Sequence, residues 1–250
     1  MRREILILLA LASNGAQAES AFEVFSAGYL YKEPGLMSLS GGKAGVAIDA
    51  ETAVSHGAAL GVYLRGASGE TSYSSTGTGS SYGNGDFYVE SIASIRMLSE
   101  TGLTMRAGLG YRCLMSDIRG TTSTGHAGYR RESNYVFSAL GLSVKEPFKL
   151  TKSKIDLEYD RLVRGWQISR LSDVDQTIQD LQNKQRSGFG LRAKLTLTIW
   201  GAQIGPYINY WNIDRSDIAP LVQSGVVVGY GIEPANETTE IGFFLSQPFN

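Results

Sequence analysis

Alternation of apolar and polar side chains over segments of about ten residues limits the fold of this chain more than any other feature. The clearest segment is 155–164, whose apolar face carries Ile155, Leu157, Tyr159 and Val163 and whose other face carries Asp156, Glu158, Asp160 and Arg164. Successive side chains of a β-strand point to opposite faces, so this period of two predicts a strand between an apolar and a polar environment. No stretch approaches the ~20 apolar residues that a membrane-spanning helix needs.

The same period recurs along the chain and predicts ten strands. Besides 155–164, the clear segments are 43–49, 87–97, 103–113, 189–199 and 239–250, and the weaker ones are 22–32, 57–65, 134–144 and 202–211. Connections after the even-numbered strands are short. Those after the odd-numbered strands are longer, especially 66–86, 116–133, 165–186 and 212–238. This pattern predicts an all-β fold, a closed antiparallel transmembrane β-barrel with long outer loops. An eight-strand barrel, with the early weak segments in loops, is the alternative.

The N-terminal 18 residues have the pattern of a cleavable secretory signal. Arg2 and Arg3 precede an apolar run from Ile5 to Ala12, and small residues end the segment at Ala16-Gln17-Ala18. We therefore expect a signal peptide at 1–18 and one exported domain at 19–250.

The C-terminal segment places large apolar side chains at alternate positions, interrupted only by Gln247. These side chains are Ile241, Phe243, Leu245 and Phe249. The segment resembles the closing strand of bacterial outer-membrane β-barrel proteins. The resemblance implies residence in the outer membrane among lipid and lipopolysaccharide, and folding by the barrel assembly machinery with these four residues as the assembly signal. Asn250 after Phe249 departs from the usual terminal aromatic.

Composition and charge exclude several classes of function. The chain has 23 basic and 24 acidic residues, a net charge of −1, which gives no electrostatic footprint for nucleic acid. Cys113 is the only cysteine and there are two histidines, so no Cys/His cluster suits a metal. We expect no cofactor and no metal site.

Charged residues on the polar faces of the predicted strands would crowd a narrow interior. They are Glu90, Arg96, Arg106, Arg112, Asp156, Glu158, Asp160, Arg192, Lys194 and Glu240. Charges removed from water are tolerated when they are paired, so the first interpretation is a charge network that fills the barrel. The alternative is a narrow polar channel with selective walls.

Aromatic residues near the strand ends predict a girdle at each membrane interface. The outer set is Tyr31, Tyr111, Tyr135, Trp166, Tyr210 and Trp211, and the inner set is Phe148, Trp200 and Phe249. Rings with polar tips favour the headgroup layer.

The outer loops offer two hypotheses for a site. His126, with Asp173 and Asp175 in the next outer loop, is a weak candidate for catalysis of the kind found in outer-membrane proteases of the omptin type, although no acid lies two residues before His126. A Ser-His lipid-modifying site is a similarly weak alternative. Separately, Arg119, Arg130 and Arg131 form a basic loop that would contact lipopolysaccharide phosphates.

Two further loop features carry structural expectations. The Ser-, Thr- and Gly-rich segment 66–86 is expected to be a mobile loop. Segment 171–185 has Val174, Ile178 and Leu181 at helical spacing after Ser172, which predicts a capped amphipathic helix.

For function, the first expectation is a largely filled barrel with a structural or surface-interaction role through its outer loops. The alternatives are a narrow porin-like channel for small polar solutes and an outer-rim hydrolase that uses His126. A non-enzymatic role is favoured.

Overall fold

A computed structural model describes residues 20–55, 57–98, 102–147 and 152–249. The expected signal peptide, Phe148 and Asn250 lie outside the described residues. In the described part of the chain, no helix has the length and apolar character needed to cross a membrane.

The described residues form thirteen strands and one short 3-10 turn. The strands are β1 (Ser20–Glu33), β2 (Met37–Ser55), β3 (Ala58–Ser75), β4 (Gly79–Leu98), β5 (Leu103–Thr121), β6 (Ala127–Lys145), β7 (Ser153–Ser169), β8 (Leu181–Gln185), β9 (Gly188–Ile199), β10 (Ala202–Ile213), β11 (Ile218–Gln223), β12 (Val226–Ile232) and β13 (Asn236–Phe249). Ten of them form a closed antiparallel ring in the order β1, β2, β3, β4, β5, β6, β7, β9, β10, β13. β13 closes the ring against β1, with Phe249 opposite Ser20.

The prediction of a closed ten-strand barrel is therefore confirmed, and the eight-strand alternative is wrong. Each of the ten predicted segments contributes a strand to the ring. The remaining strands lie outside it: β8 pairs with one end of β7, and β11 and β12 form a separate hairpin in the connection between β10 and β13.

Apolar side chains cover the outer wall of the barrel, and most charged side chains of the ring point inward. Large exposed residues on the outer wall include Val46, Leu64, Leu109, Leu140, Leu157, Ile208, Ile241 and Phe243. Buried charged residues of the interior include Glu23, Lys43, Arg65, Asp86, Glu90, Arg112, Asp160 and Glu240. This arrangement is the reverse of that in a water-soluble barrel and is typical of a barrel surrounded by lipid.

The connections at one end of the barrel are short, as predicted. β9 and β10 are joined through Trp200 and Gly201 alone. We call this the short-turn end. The opposite end carries the larger connections, at 170–187 and 214–235, and we call it the long-loop end.

Segment 66–86 is not a mobile loop. β3 continues to Ser75 and β4 begins at Gly79, so residues 76–78 alone form the turn, and Gly69 lies opposite Asp86 within the paired strands. The β1–β2 connection is also a short turn at 34–36. The paired strands continue past the apolar part of the barrel wall, and this pairing satisfies the backbone hydrogen bonds of both segments. The composition of the segments alone does not reveal it.

The predicted helix at 171–185 is also wrong. The segment starts with the 3-10 turn Leu171–Asp173 and ends with β8, which pairs with β7 from Ser169 opposite Leu181. The Asp180 carboxylate accepts hydrogen bonds from the Ser172 hydroxyl at 2.7 Å and backbone N–H at 3.2 Å. These contacts and the strand pairing replace the i to i−4 bonds that a helix would have made.

A β-bulge in β7 changes which face its upper half presents. Val136 of β6 lies opposite Arg164, whereas the next residue, Phe137, lies opposite Leu162. The extra residue, Val163, is exposed, and so is Arg164. Strict alternation places Arg164 on the inward polar face, but the bulge turns it to the outer wall.

Candidate functional site

The barrel interior is crossed by side-chain contacts between strands that are not neighbours. Arg65 of β3 donates to Glu240 of β13, three strands away around the ring, with 2.6 Å between Nη2 and Oε1. The hydroxyl groups of Tyr88 and Tyr207 donate to the same carboxylate at 3.1 and 2.9 Å. A single acid thus joins four strands of the ring through three donors.

A second crossing centres on Arg192 of β9. Its guanidinium pairs with Glu90 of β4 on the far side of the barrel and with Asp160 of β7, where Nε lies 2.7 Å from Oδ2. It also lies 3.3 Å from Glu158. Arg112 is 4.0 Å from the same Glu90. Buried charges need such compensation, because an isolated charge in a low-dielectric interior is strongly unfavourable.

The other predicted interior charges line the short-turn end. Arg96 pairs with Glu51 and, at 2.6 Å, with Asp49. The remaining pairs are Arg106 with Glu158, Lys194 with Glu23, and Lys154 with Asp156 at 3.3 Å. The structure therefore brings all ten predicted residues into the interior, each with an ion-pair partner.

Sequence reasoning missed several members of this network. Lys43 and Asp86 form an ion pair whose side chains are both 0 % exposed, and the Lys43 ammonium lies 3.5 Å from the centre of the Tyr29 ring. Arg65 and Glu23 were also missed. The signal was present, since each of these charged residues lies between outward-facing neighbours in an alternating strand.

Aromatic side chains fill the middle of the barrel. Trp211 is 1 % exposed, with the Tyr135 ring stacked at 6.2 Å and the Phe137 ring edge-on at 5.1 Å. Tyr31 also lies inside. The prediction that Tyr31, Tyr135 and Trp211 belong to the outer girdle is therefore wrong, because they occupy the inward positions of their strands. We call the buried set Tyr88, Tyr135, Phe137, Tyr207 and Trp211 the aromatic plug.

Other predicted girdle residues do lie on the outer wall. Three pairs of aromatic rings lie on this wall. The distance between ring centroids is 6.4 Å for Tyr111–Trp166, 6.4 Å for Tyr159–Phe189 and 6.1 Å for Phe189–Tyr210. They form a band around β5, β7, β9 and β10, towards the long-loop end. At the opposite end Trp200 and Phe249 are exposed.

Cavities lie on both sides of the aromatic plug. At the long-loop end, a cavity of about 300 Å³ has Glu33, Arg131 and Glu233 among its lining residues. Towards the short-turn end there are cavities of about 130 and 280 Å³, both lined in part by Asp49, Lys154 and Lys194. The aromatic plug and the ion pairs of Arg65 and Arg192 lie between the cavities of the two ends.

The three arginines proposed to contact lipopolysaccharide have different environments. Arg131 points inward, where its guanidinium pairs with both Glu33 and Glu233. Arg119 pairs with Asp117, and Arg130 with Asp173, at 2.6 and 2.7 Å. Burial places Arg131 away from the outer surface, and the other two already have carboxylate partners.

The histidine and the aspartates proposed for catalysis have separate hydrogen-bond partners. His126 Nδ1 lies 2.9 Å from the hydroxyl of Thr124. The hydrogen bonds from Arg130 lower the pKa of Asp173 to about 2, whereas Asp175 accepts from Thr177 at 2.8 Å. No hydrogen bond joins His126 to either aspartate, and the described residues contain no metal-binding group of three or more His, Cys, Asp or Glu side chains.

The predicted assembly residues lie on the outer wall of the closing strand. Ile241, Phe243, Leu245 and Phe249 are all exposed on β13, which pairs with both β1 and β10. Their inward neighbours Glu240 and Phe244 are buried.

Comparison with known proteins identifies the fold and no narrower family. No family model matches the chain, and no curated protein matches it. Among solved structures, the outer membrane protease OmpT from Escherichia coli superposes with a TM-score of 0.58 at 10 % identity, over 95 % of this chain and 98 % of that one. At this identity the likeness concerns the fold alone.

Two autotransporter barrels are also similar, with TM-scores below 0.5. The translocator domain of NalP from Neisseria meningitidis gives 0.42 at 14 % identity, over 94 % of this chain and 90 % of that one. The beta domain of Bordetella BrkA gives 0.45 at 11 % identity, over 92 % and 99 %. These scores add nothing to the fold assignment. From its own closed ring and the OmpT superposition, the chain is a ten-strand β-barrel of the bacterial outer-membrane type.

Proposed function

We propose that this protein is an integral outer-membrane barrel with a closed interior, whose role is structural or lies in surface interaction through its outer loops. The observation that carries the proposal is the set of buried contacts that cross the barrel, from Arg65 to Glu240 and from Arg192 to Glu90, around the aromatic plug. Closely packed side chains that cross the lumen would obstruct a continuous polar path for solutes.

Placement in the outer membrane rests on the outer wall and the closing strand. The wall is apolar, ring pairs such as Tyr159–Phe189 mark one interface, and β13 presents the alternating apolar face that the assembly machinery would recognise. Export by the signal peptide at 1–18 belongs to the same proposal. In this orientation the long-loop end faces the outside of the cell.

A narrow channel for small polar solutes is the second candidate. The observation in its favour is the presence of polar cavities at both ends of the barrel. Conduction would require side chains of the aromatic plug to move aside. The observations support a rim hydrolase less, because no hydrogen bond within the described residues joins His126 to Asp173 or Asp175. Loss of a hydrolytic activity in His126→Ala would support it.

Solute permeation into liposomes separates the first two functions. The purified barrel is reconstituted into liposomes. Heat-shifted gel migration verifies that it is folded, and protection of its strands from trypsin verifies that it is inserted. Swelling of the liposomes in arabinose is then measured. We expect no swelling with the wild type and rapid swelling with Phe137→Ala/Trp211→Ala, which removes part of the aromatic plug.

The matched control truncates two outward side chains, Leu109→Ala/Leu140→Ala, and should remain sealed. Swelling with the folded wild type at the rate of an open porin would overturn the closed-barrel proposal in favour of the channel.

A further inference from the structure

Three exposed arginines lie on the outer wall of the barrel, near the long-loop end. Arg161, Arg164 and Arg186 are exposed, and no carboxylate within the described ranges forms an ion pair with any of them. They differ in this from Arg119 and Arg130, whose partners are Asp117 and Asp173. We call the three residues the outer arginine cluster.

Strand register brings the three side chains together. Gly165 of β7 lies opposite Gln185 of β8, so Arg164, just before Gly165, lies beside Arg186, just after Gln185. Arg161 lies opposite Phe189 of β9. Like charges on neighbouring strands repel one another, so the free protein carries a local excess of positive charge that an anion would relieve.

The β7 bulge creates the cluster. If β7 kept all its residues but had no bulge, strict alternation would direct Val163 outward and Arg164 into the interior, on the same face as Glu158 and Asp160. Bulges commonly re-aim a side chain for use. Here the change places a guanidinium next to Arg161 on a wall that is otherwise apolar.

The surrounding rings give the depth of the cluster in the membrane. The Tyr159–Phe189 ring pair lies directly beside Arg161, and the Tyr111–Trp166 pair lies above Arg164. Aromatic rings of this kind occupy the headgroup layer, where lipid phosphates are also found. Guanidinium groups bind phosphate through paired, charge-assisted hydrogen bonds.

From this geometry we infer that Arg161, Arg164 and Arg186 form a binding site for an outer-leaflet lipid whose headgroup carries phosphate monoesters. Lys184, opposite Trp166, extends the positive surface upward, although Asp217 lies close enough to accept its backbone N–H at 2.7 Å. In this proposal the outer arginine cluster, and not the loop arginines Arg119, Arg130 and Arg131, binds the lipid phosphates. It rests on the proposed outer-membrane placement and is independent of whether the lumen is closed.

Trp166 provides a direct readout of this site. All proteins carry Trp200→Phe, which removes the exposed tryptophan at the other end, while Trp211 is buried inside the barrel. The barrels are placed in nanodiscs and titrated with either phosphatidic acid or phosphatidylcholine, each brominated on its acyl chains, at constant ionic strength. Bromine quenches the fluorescence of nearby Trp166, so the degree of quenching reports the relative affinity of the barrel for each lipid. We expect about a tenfold preference for phosphatidic acid, given the attraction of each surface arginine for anionic lipid.

Variants identify which arginines are responsible. Arg161→Gln/Arg164→Gln/Arg186→Gln should reduce the preference to near unity, whereas the matched control Arg119→Gln/Arg130→Gln/Arg215→Gln should keep it. Replacing the three cluster arginines with lysine should retain an intermediate preference, since charge remains but paired hydrogen bonding is lost.

Three outcomes would overturn the inference: no preference in the wild type, an unchanged preference in the triple glutamine variant, or complete loss of preference in excess inorganic phosphate. The last would mean a weak surface site for free phosphate. A leaky wild-type barrel that still prefers phosphatidic acid would contradict the closed lumen and leave the lipid site standing.

Discussion

Glu240 on β13 and Arg65 on β3 form an ion pair across the barrel interior, with 2.6 Å between Oε1 and Nη2 and side chains 2 % and 4 % exposed. Three strand steps separate the two residues around the ring. The strands of a barrel are already joined by backbone hydrogen bonds, so a contact of this kind fills and braces the interior. The same residues would obstruct a solute.

Removing one partner of this pair should be strongly destabilising. Glu240→Ala removes the carboxylate that contacts Arg65 most closely and leaves only the longer contact of 3.6 Å to Glu23, so we expect the free energy of unfolding to fall by about 3–5 kcal/mol. Urea unfolding in detergent micelles, followed by heat-shifted gel migration, measures the change. The double variant Arg65→Met/Glu240→Leu removes both charges and should lie much closer to the wild type. Equal losses in the single and double variants would contradict this account.

Close packing of the plug predicts a narrow tolerance at Gly110 on β5. A Cβ at this position would overlap the ring of Phe137, which is 0 % exposed. Gly110→Ala should therefore destabilise the barrel by about 1–3 kcal/mol through overpacking. Gly66→Ala is the control, because the nearest atom to its Cβ would be 3.7 Å away. A loosely filled lumen would tolerate both substitutions equally.

The ion pair between Arg130 and Asp173 predicts a specific acid titration at the long-loop end. Hydrogen bonds from Arg130 lower the pKa of Asp173 to about 2. A depressed carboxyl pKa means that the contact is intact above the ordinary pKa of aspartate and is lost as the pH falls through about 2. NMR titration of the Asp173 carboxyl carbon measures this value.

Arg130→Gln supplies the control for that titration. The pKa of Asp173 should rise towards 3.8, while that of Asp175, lowered by hydrogen bonds from Thr177, should stay depressed. An unchanged Asp173 in the variant would show that Arg130 is not the cause.

The closing strand should govern delivery to the outer membrane. Phe249 lies opposite Ser20 and is exposed on the outer wall. If it belongs to the assembly signal, Phe249→Ala should lower the amount of barrel in the outer-membrane fraction several-fold. Phe22→Ala, which removes an exposed ring from neighbouring β1, should have little effect. Similar levels for the two variants would count against a terminal signal.

The ten strands were predictable because their cause is local. A strand between lipid and a polar interior must alternate, and the alternation is visible within each segment, as in β7 from Ile155 to Asp160. The bulge at Val163 was not predictable from this rule, since one additional residue depends on how β6 and β7 pair. Its effect on Arg164 was therefore missed.

The residues that form the candidate site were largely predictable from the sequence, but their partners and their exact positions were not. The alternation of apolar and polar side chains identified charged inward residues such as Glu90 and Arg192. Which of these residues form ion pairs, however, depends on strands that are far apart in sequence. The prediction placed Tyr135 and Trp211 in the outer girdle because an aromatic ring with a polar tip is favourable both at a membrane interface and in a buried plug. Similarly, nothing local to Arg131 shows that Glu33 and Glu233 hold it inside.

Ion conductance in planar bilayers tests the closed interior most directly. The folded wild-type barrel should give no single-channel steps, while Phe137→Ala/Trp211→Ala should give measurable current through the same bilayer. Stable steps from the wild type that change when Arg192 or Glu90 is neutralised would contradict the account and make the charged interior the selective wall of a channel.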